Sequence, residues 1–258
     1  MWDTIIINPL VNIILFIYQL FDNFGIAIIL FTILIRMVTY PLTDKQLKGT
    51  AAMQTLQQDK RWIEMQKKYK NDKDKLAQEQ MKLYKELGIN PMASCLPTII
   101  QFPIIIGLYQ SIIRSLASTP LQMLDLVKQI YPNFLNVATL IPINSKFLWM
   151  DLGQPERLFI PGISIGIPVL AVIVVITTYF QSKLMQPAQA NPQDQTAAMG
   201  NMMTVYMPFL MGYISYTLAS GLALYFIVSN VIGIIQYAML GKLNWSNLLP
   251  VRKPTQPK

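Results

Sequence analysis

The chain has 258 residues, of which 53% are hydrophobic and 13% are charged, and its formal net charge is +8. This composition excludes a disordered protein and indicates a polytopic membrane protein. Histidine is absent and Cys95 is the single cysteine, so we expect no metal site and no internal disulfide. A nucleotide-binding glycine-rich loop is also absent, and we expect that the protein is not an enzyme.

Residues 1–23 are apolar, but they begin without a basic residue and lack an A-x-A-like site, which disfavours a cleaved signal peptide. The polar side chains of this segment are spaced to share one helical face: Asn8, Asn12, Gln19 and Asp22. We therefore predict an amphipathic helix that lies in the outer membrane interface rather than a sixth span.

Five segments have the apolar character of membrane spans, which need about 20 residues. We predict spans at residues 24–43, 94–117, 161–183, 204–220 and 222–241, and none of them contains an acidic residue. Eleven Lys and Arg residues lie at 44–88 and four follow residue 241, against three in the predicted outer loop at 118–160. The positive-inside rule then places the N-terminus outside and the C-terminus in the cytoplasm of a cell-membrane protein.

Arg36 lies inside the first span, where estimates of the cost of a central arginine in lipid run from ~3 to more than ~10 kcal/mol. Snorkelling toward the cytoplasm would oppose the lean of helical side chains toward the N-terminus. We therefore predict a hydrated cavity around Arg36, lined by polar residues that include Thr32, Gln101, Thr177, Thr178, Gln181, Ser229 and Asn230. A closed pore would suit a transporter, and a cavity open to the cytoplasm would suit an entering polypeptide. A structural role, donating to backbone carbonyls, is the alternative for Arg36.

Residues 44–91 are hydrophilic and predict a cytoplasmic helical hairpin. A first helix is expected to run to about Tyr69, and a second is expected to be capped by Asn71 or Asp72 and to end at Gly88. The predicted recruitment surface of this hairpin consists of Lys60, Arg61, Trp62, Lys67 and Lys68. Lipid headgroups, ribosomal RNA or an incoming polypeptide would all suit such a surface. The alternative is a solvated face that only fixes topology.

The remaining segments are a cytoplasmic loop at 184–203 and a basic cytoplasmic tail at 242–258. The predicted fold is thus an all-α polytopic membrane protein with a five-transmembrane-helix core, a cytoplasmic helical hairpin and an N-terminal amphipathic interfacial helix.

Several motifs resemble the YidC/Oxa/Alb family of membrane-protein insertases. One segment of this chain resembles the family's first core span: "GIAIILFTILIRMVTYPLTDKQLK". Another resembles the family's hairpin and second span: "KYKNDKDKLAQEQMKLYKELGINPMASCLPTIIQFPIIIGLY". Its later segments resemble "FLWMDL" and "ASGLALYFIVSNVIGIIQ". The absence of a large outer domain and of a lipobox cysteine fits a bacterial member of the shorter kind.

The resemblance implies an amphiphilic groove that is open to the cytoplasm and to lipid and closed toward the outside. It maps Arg36 and Thr32 to groove positions, and it maps Phe102, Gln181, Tyr225 and Phe226 to groove or substrate-contact positions. The implied partners are nascent membrane proteins and the bilayer, with the ribosome and the Sec translocon as further candidates. The implied mechanism needs no cofactor. A non-inserting assembly scaffold for the Sec channel and a small-anion transporter are the competing hypotheses.

Overall fold

The computed structural model describes residues 2–44, 55–56, 59–69, 72–88, 96–116, 119–131, 143–158, 166–185, 195–241, 243 and 245. The side chains at 73, 96–102 and 195–203 lie outside this description. A π-helical turn at Asp3–Ile7 leads into α1, Asn8–Phe21. The other helices are α2 (Phe24–Val38), α3 (Lys60–Lys68), α4 (Lys73–Glu86), α5 (Leu96–Ser115), α6 (Pro120–Gln129), α7 (Val169–Met185), α8 (Gln195–Thr217) and α9 (Ser220–Met239).

Local sequence explains both ends of α2. The side chain of Asn23 accepts a hydrogen bond from the backbone N–H of Ile26 at 3.1 Å and caps the first turn. The helix is interrupted at Thr39 because Pro41 has no N–H to donate to the preceding turn. Helical turns resume at 40–44. The predicted first span is therefore an apolar helix with a break near its end.

A short segment at 143–158, here called the cap segment, covers one end of the helix bundle. It contains the antiparallel strands β1 (Lys146–Phe147) and β2 (Met150–Asp151). The backbone N–H of Gly221 donates to the carbonyl of Leu152 at 3.0 Å, and that of Ser220 donates to Gln154 at 2.8 Å. The first turn of α9 is therefore bonded to the cap segment.

The same segment also contacts the first turns of α2 and α7. A Cβ atom at Gly25 would overlap the ring of Phe147, so the glycine allows this ring to lie against the α2 backbone. The carboxylate of Glu156, which is 7% exposed, accepts hydrogen bonds from Leu170 N and Trp149 Nε1, both at 3.1 Å. The N-terminal ends of α2, α7 and α9 therefore meet at this capped end of the bundle.

Helix α9 is central to the packing of the bundle. It packs against α2 and α7, while α8 packs on α7, and α1 packs on α2 and α5. Residues 220–226 of α9 are all buried. A helix whose residues are buried on every side is typical of a bundle interior.

Helix α1 packs one side on the bundle and carries a polar residue into the interface. The side chain of Asn12, 7% exposed, donates to the carbonyls of Asn8 and Gln129 and accepts from Tyr131 N. Tyr18 Oη accepts from Asn144 N at 3.2 Å. Asn12 of the predicted polar face is therefore a packing residue, and the interfacial location of this helix remains a prediction.

Two predicted boundaries differ from the structure. Helix α7 begins at Val169, inside the span predicted at 161–183, because Leu158 and Ile167 form an antiparallel bridge and Pro168 disfavours helix at the residue before it. Helix α8 begins at Gln195, inside the loop predicted at 184–203. The membrane boundaries of these helices remain predictions.

Within the described ranges, two helices are long and apolar enough to cross a membrane by length and composition, Asp3–Phe21 and Ser220–Met239. The apolar helices Phe24–Val38 and Val169–Met185 are shorter.

Helices α3 and α4 pack against each other around a small core of their own. Leu56, Trp62 and Leu83 are buried there, with Met65 and Tyr84 against them. The predicted continuous first helix is wrong in one respect, since it is interrupted at Asp59, whose extended backbone and side chain cap α3 through Arg61 N at 2.8 Å. Of the two predicted caps for α4, Asp72 accepts from Lys75 N at 3.1 Å, and Asn71 lies outside the described residues.

Candidate functional site

Arg36 reaches from α2 to α9 and bonds to Ser229. Its Nε atom donates to Ser229 Oγ at 2.9 Å, and its Nη2 atom donates to the same oxygen at 2.5 Å. The backbone carbonyl of Arg36 accepts from Gln236 Nε2 at 3.0 Å. Arg36 is thus bonded to two positions on one face of α9, to Ser229 through its guanidinium and to Gln236 through its backbone carbonyl.

Gly233 lies between these two positions and lets α7 approach. A Cβ atom there would lie 2.5 Å from Gln181 Nε2 and 3.8 Å from Arg36 Nη1. The absence of a side chain at Gly233 therefore leaves room for the Gln181 amide on the side of α9 that Arg36 also approaches. Of the predicted cavity residues, Ser229 bonds Arg36, and Gln181 lies near it across Gly233.

A second polar contact between α7 and α9 involves Asn230, the residue that follows Ser229. Asn230 Nδ2 donates to Thr177 Oγ1 at 3.1 Å and to Thr178 Oγ1 at 2.9 Å. Asn230 and Thr178 are each 8% exposed. These predicted polar residues pair with one another and not with Arg36.

The predicted place of Thr32 in the cavity is wrong. Its side chain is 0% exposed, and its hydroxyl donates to the carbonyl of Ile28 at 2.6 Å. A threonine in a helix commonly satisfies its hydroxyl by bonding the preceding turn in this way. Thr32 therefore belongs to the packed interior on the capped side of Arg36.

Some N–H groups of the guanidinium have no hydrogen-bond acceptor among the described residues. It has five N–H groups, and among the described residues its hydrogen bonds go to Ser229 Oγ alone. No described carboxylate lies within ion-pair distance of it. Because Arg36 is partly exposed, the remaining donors are available to an anionic or carbonyl group that approaches it.

The contact of Tyr225 and Phe226 with a substrate stays a prediction, and both side chains lie inside the bundle. The two rings are 3% and 6% exposed, with centroids 5.7 Å apart. They are buried because α9 is surrounded by other helices of the bundle. Gln101 and Phe102 lie on α5, but their side chains fall outside the described part of the chain.

The predicted recruitment surface separates into four exposed cations and one buried ring. Lys60, Arg61, Lys67 and Lys68 are exposed, whereas Trp62 is 1% exposed and packs on Tyr84 with ring centroids 5.6 Å apart. Trp62 is therefore not part of the exposed surface, because its indole packs against an apolar side of α4. Hydrogen bonds from the backbone and side chain of Arg61 lower the pKa of the neighbouring Asp59 carboxyl.

Gln236 and Gly233 were not among the residues predicted for the site. Their spacing offered a signal, since positions 229, 233 and 236 differ by four and three and share one helical face. The oxygen Oε1 of Gln236 is buried and has no hydrogen-bond partner among the described residues.

Residues 16–246 match the family model described as the 60Kd inner membrane protein. The chain is 33% identical over 91% of its length to the membrane protein insertase MisCA of Bacillus subtilis, of which it covers 77%. It is 34% identical over 93% of its length to membrane protein insertase YidC 2 of Listeria innocua, of which it covers 71%.

One solved structure resembles the chain throughout. It is the crystal structure of an active YidC insertase with the first transmembrane domain resolved, with a TM-score of 0.57 and 28% sequence identity over 92% of the present chain. The chain spans about half of that solved chain, 47% of its length.

Proposed function

Since the chain belongs to the 60Kd inner membrane protein family, whose relatives named above are membrane protein insertases, we propose how its polar site serves insertion. A nascent hydrophobic segment arrives from the cytoplasm, and its polar flank enters the groove around Arg36. The apolar part then moves sideways into lipid. The observation that carries this proposal is the partly exposed residue Arg36, whose guanidinium has donors left over and lies beyond the capped end of the bundle.

The position of Arg36 along α2 supports a groove that opens on one side. At 1.5 Å per residue it lies roughly 18 Å along the helix from Phe24, at the capped end. Between the two, the interior is filled by apolar side chains such as Phe31 and by Thr32. A polar flank that reached Arg36 from the uncapped end would therefore cross less than the full thickness of the bilayer.

Hydration of the groove is the second part of the proposal. A buried amide oxygen without a partner costs about 1–3 kcal/mol, and Gln236 Oε1 has none among the described residues. A water or a substrate N–H in the groove would satisfy it. Water would also solvate the guanidinium donors that remain free of protein acceptors.

Arg36 would then attract acidic residues in the flank of the substrate. A guanidinium–carboxylate attraction is stronger in a partly buried site than in water, because the effective dielectric constant is lower. Transfer of the apolar segment to lipid supplies the driving force, at roughly 25 cal/mol per Å² of apolar surface removed from water. The membrane potential adds to this for a negative flank that moves outward. Phe102, on α5, stays a candidate contact for the apolar segment.

The hairpin of α3 and α4 is proposed as the cytoplasmic receiving element. Its exposed cations Lys60, Arg61, Lys67 and Lys68 support electrostatic recruitment of anionic lipid, ribosomal RNA or an acidic flank. In this view Trp62 stabilises the hairpin and does not touch the substrate. The ribosome and the Sec translocon are proposed partners.

The hypothesis of a small-anion transporter needs access from both sides. The hydrogen bonds of the cap segment to the first turns of α7 and α9 argue against a second entrance. The scaffold hypothesis predicts that insertion in vesicles requires added Sec channel. Crosslinking of a nascent chain from the groove without that channel would exclude it.

The test is insertion of two single-span substrates into proteoliposomes, one with an acidic flank and one with a neutral flank. We expect Arg36→Ala to slow insertion of the acidic substrate by roughly ten-fold, which corresponds to about 1.4 kcal/mol, and Arg36→Lys to restore part of it. The matched control is Arg114→Ala, which removes an arginine that pairs with Asp3 at 2.6 Å near the capped end. Equal rates of Arg36→Ala and the unchanged protein on the acidic substrate would refute the electrostatic step.

A further inference from the structure

Helix α6 presents three distinct faces. Leu126 and Ile130 are 2% and 5% exposed and face the bundle core. A second face is polar and lines a cavity of about 480 Å³ together with Asn8 and Arg114; its members are Gln122, Asp125, Lys128 and Gln129. The third face is apolar and exposed, with Leu121, Leu124 and Val127 at 75%, 62% and 41%.

The bundle holds α6 in a fixed orientation. Asn12 of α1 donates to the carbonyl of Gln129 at 2.8 Å and accepts from the N–H of Tyr131 at 2.7 Å. At the other end, the side chain of Thr119 and that of Gln122 form a capping box, and Pro120 occupies the first turn. The exposed apolar face is therefore a property of a well-defined helix and not of a loose loop.

The position of α6 brings that face to the edge of the membrane. It begins five residues after α5 ends at Ser115, and five residues span at most about 18 Å. It is bonded to α1, whose run Asp3–Phe21 is apolar enough to cross a membrane and itself exposes Ile5 (69%) and Leu20 (63%). Both neighbouring helices therefore carry exposed apolar side chains.

Exposure of this apolar face to water is unfavourable, because clustered apolar surface costs free energy to hydrate. Lys128 follows Leu121 by seven residues and Leu124 by four, so it lies on the same side of α6 at the end of the apolar stripe. Its stem can cover apolar surface there while its ammonium group stays wet. An apolar stripe with a lysine at its edge is the pattern of helices that lie in a lipid interface.

We propose that α6 is an interfacial helix whose Leu121, Leu124 and Val127 insert into the acyl boundary of the leaflet on the capped side. The polar face then lies at the level of the phospholipid headgroups. This goes beyond the proposed insertion mechanism, which would be unchanged if α6 lay in water.

The test is quenching of a fluorophore on single cysteines of the full chain in phosphatidylcholine–phosphatidylglycerol proteoliposomes. In a Cys95→Ser background, bimane is attached at Leu124→Cys or, as the matched control on the polar face, at Asp125→Cys. Lipids with a shallow doxyl group should quench position 124 at least two-fold more than position 125, and iodide should quench position 125 more. Leu121→Cys and Gln122→Cys repeat the comparison one turn earlier.

Stronger iodide quenching at 124 than at 125 would overturn the proposal. Protection of 124 from both quenchers would also overturn it, since the face would then contact protein, such as a second copy. Insertion of the neutral-flank substrate by each labelled protein verifies that the variants are folded, and it separates this test from a failure of the Arg36 mechanism.

Discussion

Gly233 leaves the space beside α9 that the Gln181 amide occupies, near Arg36. A Cβ atom at this position would lie 2.5 Å from Gln181 Nε2, the free end of a flexible side chain. We expect Gly233→Ala to move the Gln181 amide away while the free energy of unfolding changes by less than about 1 kcal/mol, since alanine also favours helix. Insertion of the acidic-flank substrate should fall by roughly two- to five-fold (about 0.4–1 kcal/mol). The measurements are insertion rate and thermal unfolding in detergent.

The matched control is Gly212→Ala in α8. There a Cβ atom would overlap Val175 Cγ2 on α7, a branched and less yielding neighbour. This variant should lose stability, by about 1–3 kcal/mol, without a selective effect on acidic substrates. If Gly233→Ala and Gly212→Ala lost stability equally and both spared insertion, Gly233 would be a packing residue only.

At the residue scale, sequence identified which polar groups matter but not how they pair. Arg36, Gln181 and Ser229 were predicted to share a cavity; the structure shows a bond between Arg36 and Ser229 and places Gln181 across Gly233, and the cavity itself stays a prediction. Thr32 was also expected there and instead bonds its own helix. The direction of a side chain within a bundle depends on the rotation of each helix about its axis, which a single sequence does not specify.

At the scale of elements, Trp62 is the largest buried side chain in the contact between α3 and α4. It is 1% exposed and shares a small cluster with Leu56 and Leu83. We expect Trp62→Ala to destabilise the hairpin by ~3–5 kcal/mol, the usual cost of removing a large buried aromatic ring. Backbone amides of 73–86 should then lose protection in hydrogen–deuterium exchange.

Lys67→Ala provides the control, because it removes a charge from an exposed position of α3. It should leave amide protection unchanged and weaken salt-sensitive binding to anionic vesicles. Retained protection in Trp62→Ala would mean that the hairpin is held by other contacts.

Element boundaries were harder to predict than the elements themselves. The apolar runs that give α2, α5, α7 and α9 are clear in the sequence, as is the break before α4. The interruption at Asp59 was not predicted, because the surrounding Gln, Lys and Leu residues all favour helix and one aspartate cap outweighs them. The late start of α7 depends on the bridge between Leu158 and Ile167, a tertiary contact.

At the scale of the whole molecule, the arrangement of charge makes a topological prediction. Single cysteines in a Cys95→Ser background, at Lys75 in the hairpin and at Asp125 in α6, report the two sides of the membrane; their side chains are 68% and 58% exposed. A membrane-impermeant maleimide should label position 125 on intact cells and position 75 only after permeabilisation, as the distribution of Lys and Arg requires. The reverse pattern would contradict the predicted orientation.

The largely helical architecture followed from composition, hydropathy and motif resemblance, and membership of the family is confirmed by the match over residues 16–246. The role of the cap segment was not predicted from the sequence. Its contacts with Gly25, Leu170 and Gly221 join parts of the chain far apart in sequence, and no local pattern encodes such contacts.

Two of the hydrogen bonds between the cap segment and α9 join main-chain groups; their donors are the N–H groups of Ser220 and Gly221. Bonds of this kind survive most side-chain substitutions. A hydrated recess that ends at such a lid would not conduct protons or sodium ions, even while a polypeptide occupies it. A cell could then maintain many copies of the protein in an energised membrane without dissipating its electrochemical gradient.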